Sequence, residues 1–210
     1  MEDRGLKPNY FEILFHDLKV VAIQAGLKER EILSYSSNKL KESAVLVPVF
    51  RGSHNDLRLI LIRRSLYGVH SGQLAFPGGR VEETDASLED TALREAEEEI
   101  GLKSKNVKIL AGLPEVEVRA SQYRIKPFLA NIMPQYKWVI QESEVSEVIN
   151  ASIAELARPE SHQKEMFQLE EWPEARLISF YKVGPYKLWG ASYSIFHQLL
   201  PRLLKGEFPI

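Results

Sequence analysis

The chain has 210 residues, 44% hydrophobic and 27% charged, with a net charge of −2 and a pI near 6.2. That is enough for one sizeable soluble domain and lacks the basic excess expected of a general nucleic-acid binder. Cysteine is absent, which excludes disulfides, thiol catalysis and thiolate metal sites. The longest apolar stretch, Ala44–Phe50, is too short to span a bilayer, and the opening MEDRGLKPNYFEILF has no basic start followed by an apolar core. A cytoplasmic protein without membrane contact is therefore expected.

Residues 1–40 read as a helical extension, and 41–210 as the main domain. In the extension Phe11, Leu14, Phe15, Leu18 and Ala22 recur at helical spacing, and Gly26 is a stop. Ala44–Phe50 then reads as a buried strand in which Pro48 points to an edge or a bulge. The turn-forming Gly52–Asp56 and a second strand, Leu57–Ile62, complete a hairpin. Residues 65–75 form a loop. Ser87 as N-cap, Asp90 as its capping-box partner and Gly101 as a left-handed stop predict a helix from about Leu88 to Ile100. Strands are expected at Val107–Leu113, Glu115–Arg119, Tyr123–Ile132 and Lys137–Gln141, and a short helix at Ala151–Ala157. Arg158–Glu174, with two prolines and seven charged residues, reads as a surface loop or lid. Leu177–Val183 returns as a strand, and Ala191–Leu204 closes as a helix with Ile195, Leu199 and Leu203 on its apolar side. Strands around one central helix, followed by a last helix, predict a mixed α/β sandwich.

The predicted central helix carries the chemistry. Residues 76–102 read FPGGRVEETDASLEDTALREAEEEIGL, and Glu95, Glu98 and Glu99 fall at i, i+3 and i+4, on one face. Glu97 points elsewhere. Like charges stacked this closely cost stability, a cost that divalent cations among the oxygens remove. Just upstream, Gly78 and Gly79 let the backbone turn tightly and approach a ligand. A run of glutamates alone is usually a solvated face; the glycine pair, Arg94 before it and Gly101-Leu102 after it make that reading a minor one.

This run resembles the Nudix hydrolase signature, GX5EX7REUXEEXGU with U apolar. The second half matches throughout, from Arg94-Glu95 to Gly101-Leu102. The first half departs: fourteen residues separate Gly79 from Arg94, one more than the signature has, and Asp85 stands where a glutamate would pair with the arginine. Upstream, Arg64-Ser65-Leu66-Tyr67-Gly68-Val69-His70-Ser71-Gly72-Gln73-Leu74-Ala75-Phe76-Pro77-Gly78-Gly79 resembles the coenzyme A diphosphatase branch of that superfamily, R-S-x3-R-x-H-x-G-Q-x-A-F-P-G-G. Gly68 occupies the place of that branch's second arginine, and the loop is one residue shorter.

The resemblance implies an α/β/α sandwich with a mixed sheet and Mg²⁺-dependent (or Mn²⁺-dependent) hydrolysis of a P–O–P bridge. It implies metal ligation by Glu95, Glu98 and Glu99, with Arg94 orienting the carboxylates. A carboxylate must also accept the proton of the attacking water. Glu99 itself is one candidate, Glu144 and Glu147 are others, and Glu115 and Glu117 stand behind them. Glu144 and Glu147 also read simply as surface charges. Arg64, His70, Gly78, Gly79 and Arg80 are the candidate substrate contacts, His70 being equally readable as a hydrogen-bonding spacer. The expected partner is a small nucleoside diphosphate derivative, coenzyme A or acyl-coenzyme A first, and a homodimer is compatible with the resemblance. Two alternatives stay open: a hydrolase of ADP-ribose or a dinucleotide, favoured by Gly68, and a non-catalytic nucleotide-binding module.

Overall fold

The computed structural model describes residues 40–66, 70–118, 121–133, 137–169 and 172–210. The helix expected between Phe11 and Gly26 lies outside them, as does Gly68. Strand β1 (Lys41–Arg51) is buried from Ser43 to Phe50 except for a half-buried Val45, the pattern of a strand covered on both faces. It pairs in parallel with β7 (Tyr123–Ile132) from Lys41 opposite Tyr123 to Val49 opposite Asn131. Two shorter partners share its other edge: β4 (Gly78–Arg80) opposite Ser43–Val45, and β2 (Leu57–Arg64) opposite Val49–Arg51.

Pro48 therefore sits in a central strand, not at an edge. Leu46 N donates to Pro77 O at 2.8 Å, so the Pro48 nitrogen, two residues on, faces the same edge. It meets the gap between β4 and β2, where no ladder bond is lost. On the far edge of β2 runs β8 (Val145–Ser152), β3 (Leu74–Ala75) pairs with the end of β2 on the edge that β1 uses, and β5 (Val107–Gly112) and β6 (Val116–Val118) pair with β7, giving a mixed eight-stranded sheet. A smaller antiparallel sheet holds β9 (His162–Phe167), β10 (Arg176–Val183) and β11 (Tyr186–Leu188).

Among the described residues three α-helices complete the fold: α1 (Leu88–Ile100), the single turn α2 (Ile153–Leu156) and α3 (Gly190–Leu204). Strand alternation sends neighbouring residues to opposite faces, and each face is covered. On one, Ala92, Ala96 and Ile100 of α1 join Ala44, Leu46, Ile60, Ile62 and Ala130. On the other, Ile195, Phe196, Leu199 and Leu203 of α3 join Val47, Val49, Leu59, Leu61 and Leu129. The result is the expected α/β/α sandwich.

Two expectations need correction. Lys137–Gln141 is not a strand: Val139 N donates to Ile100 O and Gln141 N to Glu99 O, so this apolar segment is tied to the end of α1 while Trp138 and Ile140 pack on the core. Arg158–Glu174 is not simply a loop, because it contains β9. That strand is exposed from His162 to Met166 and among the described residues pairs only with β10, so no hydrophobic alternation marks it in the sequence.

Candidate active site

Helix α1 starts and stops where its caps require. Asp90 N donates to Ser87 Oγ at 3.1 Å, Ser87 Oγ donates to Asp90 Oδ2 at 2.8 Å, and Gly101 closes the helix at φ 69°. Between these limits α1 turns Ala92 and Ala96 into the core and Glu95 and Glu99 towards the Gly78–Gly79 strand.

Glu99 is the most enclosed of the carboxyls, 2% exposed, and Gly78 N donates to its Oε2 at 2.9 Å. Burial is the main cause that pushes its carboxyl up to about 8; the Gly78 N–H opposes this, Glu95 adds to it, Arg64 opposes it and Glu144 adds to it. Glu95 is also raised, first by burial, against the pull of Arg94 and with added repulsion from Glu98 and Glu144. The mutual effects put Glu95, Glu99, Glu144 and Arg64 in one electrostatic neighbourhood. The backbone explains Glu144's place there: Glu144 N and Val145 N donate to Gln141 O, Gln141 is tied to Glu99 O, and Ser65 N donates to Glu144 O at 2.7 Å.

Arg94 is held by Asp85. Its Nε and Nη2 donate to the two Asp85 oxygens at 2.9 and 3.0 Å, and Nη2 also donates to Arg80 O at 2.9 Å. Arg94 holds the Asp85 carboxyl well below the usual carboxylate range. The remaining nitrogen, Nη1, donates to Glu95 Oε1 at 3.1 Å and Glu98 Oε2 at 3.0 Å. Arg94 thus links three acids, with Asp85 in the place that the signature gives to glutamate.

The two glycines serve different neighbours. A Cβ on Gly78, at φ 155°, would strike the Ala44 carbonyl and the Val45 backbone, whereas one on Gly79 would strike the Glu95 carboxylate. Arg80 is exposed and lies over the Tyr123 ring, 5.3 Å from its centroid. His70 is exposed on left-handed backbone (φ 67°), and its ring makes no hydrogen bond with the described residues. Glu147 is not brought to the cluster. It stands opposite Arg63, whose parity is that of Leu59 and Leu61, on the sheet face away from α1, and accepts a bond from the Tyr186 hydroxyl at 2.7 Å. Glu115 and Glu117 instead pair with Arg124.

Among the described residues no group of three or more acids or histidines is drawn together closely enough to hold a metal ion as it stands. The donor set nevertheless fits a hard divalent cation. Two enclosed carboxyls with raised proton affinity and one further acid on the same helix face are oxygen donors set against Arg94 and Arg64, and a side-chain-free glycine stands beside Glu95.

A NUDIX domain profile matches residues 40–174, more than half of the chain. A Nudix hydrolase from Cronobacter sakazakii, NudL, itself uncharacterised, is 33% identical over 180 residues, covering 86% of this chain and 91% of its own. Its namesake from Escherichia coli O139:H28 is 32% identical, covering 95% and 96%. Among solved structures, a MutT/Nudix family protein from Enterococcus faecalis superposes with a TM-score of 0.54 at 18% identity, covering 93% of this chain and 76% of its own. The Nudix hydrolase RenU of M. smegmatis gives 0.54 at 16%, covering 81% and 88%. At these identities the structures speak for the fold, the sequence matches for the family. No described helix is long and apolar enough to cross a membrane. With the carboxylate helix, its glycine strand and its sequence relatives in agreement, the chain belongs to the Nudix hydrolases, enzymes that act on nucleoside diphosphate derivatives and generally use divalent metal ions.

Proposed function

We propose that this enzyme hydrolyses the diphosphate linkage of coenzyme A or an acyl-coenzyme A, releasing adenosine 3′,5′-bisphosphate and (acyl-)4′-phosphopantetheine. The observation that carries the reading is the run Arg64–Gly79, which resembles the coenzyme A branch at His70, Gly72, Gln73 and FPGG and leads into the carboxylate helix. Glu95, Glu98 and Glu99 would hold Mg²⁺ or Mn²⁺. Such a cation, when bound, neutralises diphosphate charge and acidifies water.

The remaining roles belong to the chain. Glu144 accepts a proton from the attacking water, whose oxygen bonds to one phosphorus as the bridging P–O bond breaks. Arg94, anchored by Asp85, keeps Glu95 and Glu98 on one side of its guanidinium. Arg64 supplies a fixed positive charge beside Glu99. Gly79 leaves room at Glu95, and His70 and Arg80 are substrate contacts at the rim. We place the reaction in the cytoplasm.

The test is incubation of coenzyme A with the wild-type protein and Mg²⁺, following adenosine 3′,5′-bisphosphate by chromatography beside Glu99→Gln. Product with the first and none with the second is expected. Cleavage of ADP-ribose with coenzyme A left intact would transfer the substrate to another nucleoside diphosphate derivative, the reading that Gly68 favours.

A further inference from the structure

The two arginines at the end of β2 leave the strand on opposite faces, as adjacent strand residues must. Arg64 lies on the α1 side, where its charge reaches Glu99. Arg63 lies on the other side, its guanidinium 4.9 Å from the centroid of the Tyr186 ring on β11. The Tyr186 hydroxyl donates to Glu147 Oε2 at 2.7 Å, and Glu147 stands cross-strand from Arg63. Tyr186 is thereby held from one side while its ring supports the guanidinium.

Arg63 has a tyrosine, and among the described residues no acid, as its partner: its charge acts on the Tyr186 hydroxyl. Among the described residues no carboxylate forms an ion pair with it, and its Nε is enclosed without a hydrogen-bond partner. An enclosed donor left unpaired is costly, and a guanidinium more so than a neutral group. The residue as a whole is only half-buried. The loop that carries His70 and Gln73 passes alongside: at Gly72 (φ 67°) even a Cβ would stand 3.7 Å from Arg63 Nη2. Both ends of that loop are fastened next to Arg63, since Arg64 N donates to Gln73 O at 3.0 Å and Gly72 N to Ser65 O at 3.1 Å.

We propose that Arg63, braced by Tyr186 and Glu147, is a specificity residue that binds a phosphate monoester carried by the nucleotide outside the scissile diphosphate. A guanidinium over a ring still presents its two Nη groups to phosphate oxygens. The two arginines then divide the work at one strand end, Arg64 towards the diphosphate and Arg63 towards the second phosphate. Arg63 also supplies a guanidinium near Gly72, in a run where the coenzyme A branch has an arginine at the place of Gly68. The inference rests on the coenzyme A reading for the identity of the nucleotide, but its test does not require turnover.

The experiment is calorimetric titration of the full chain with adenosine 3′,5′-bisphosphate and, separately, with AMP, which lacks the 3′-phosphate. The wild type is expected to bind the bisphosphate more tightly by roughly ten-fold or more. Arg63→Gln should bring the two affinities together by weakening only the bisphosphate, and Arg63→Lys should keep part of the difference. Thermal unfolding of each variant separates this from a structural brace, which would lower Tm and weaken both ligands alike. Equal wild-type affinities, or a preference that survives in folded Arg63→Gln, overturn the proposal. A preference for the bisphosphate that depends on Arg63, in a protein that does not hydrolyse coenzyme A, would uphold the subsite and remove the diphosphatase reading instead.

Discussion

Asp85 stands where the family signature has a glutamate, and the segment from Gly79 to Arg94 is one residue longer than the signature's. The Asp85 side chain is 3% exposed and takes both Nε and Nη2 of Arg94, while Glu82, also nearby, stands 3.9 Å from Nη1. That Arg94 needs an acidic partner was legible in the sequence; which acid was not, because the answer depends on the path of an irregular loop. Asp85→Asn should cost about 2 kcal/mol in urea unfolding at pH 7, the size of an enclosed charge-assisted contact. Asp85 is held below its ordinary value near 3.8. The unfolded state therefore takes up its proton first on acidification, and the stabilisation present above pH 4 is lost as pH falls towards the folded value. Asp85→Asn should lack that acid-side decline; a wild type and variant with parallel profiles between pH 5 and pH 3 would contradict it. Glu99 has the opposite sign. Its carboxyl, raised from 4.5 to about 8, stays protonated in the folded protein across a window where the unfolded chain has ionised. Metal-free stability should thus fall as pH rises from 4.5 through 8. Glu99→Gln, which mimics the protonated form, should unfold at higher urea than the wild type at pH 9 in chelator, by ~1–3 kcal/mol, and near-equally at pH 5. Mg²⁺ should then rescue the wild type at pH 9 and leave the variant where it was.

At the scale of elements, α1 was the most readable part because its limits are local chemistry: Ser87, Asp90 and Gly101 act through bonds within a few residues of themselves. Segments whose state depends on distant partners were harder to read. The apolar run 137–141 resembled a strand, yet its N–H groups go to the carbonyls of Glu99 and Ile100. The polar β9 did not resemble a strand, yet β10 supplies its ladder. The glycine pair in β4 illustrates the same division. Gly78→Ala would press a methyl into the backbone of β1, which cannot yield, at a positive φ that alanine rarely adopts. Gly79→Ala meets the carboxylate end of the Glu95 side chain first, which can turn aside where a backbone cannot. Gly78→Ala should lower stability by ~2 kcal/mol or more and lose activity with the fold. Gly79→Ala should melt close to the wild type while requiring more Mg²⁺ for half-maximal rate, because Glu95 has to swing aside. Equal melting losses in the two variants would show that the Glu95 end is as rigid as the backbone.

The molecule as a whole decides between acids that the sequence leaves equivalent. Glu144 and Glu147 are three residues apart, both exposed, and nothing in their neighbourhood ranks one above the other. The sheet separates them. Glu144 sits in the turn tied to the end of α1 and to Ser65, on the side of Glu95 and Glu99. Glu147, beyond the irregularity at Arg63/Arg64 where β2 and β8 shift register, faces the α3 side and holds Tyr186. One strand end thus serves two faces, with Arg64 and Glu144 towards the carboxylate helix and Arg63 and Glu147 towards β11. The kinetic consequence is a split. Glu144→Gln should lower kcat by ~10²–10⁴, the usual worth of a positioned general base, with KM little altered. Glu147→Gln should keep kcat near that of the wild type and raise KM for coenzyme A, since it loosens the ring under Arg63 without touching the carboxylates. The pair is informative because both substitutions remove the same charge from neighbouring exposed positions, so a general electrostatic effect would move the two variants together. If Glu147→Gln lost kcat and Glu144→Gln did not, the proton acceptor would lie on the α3 face, and the α1 side would be left with metal ligation alone.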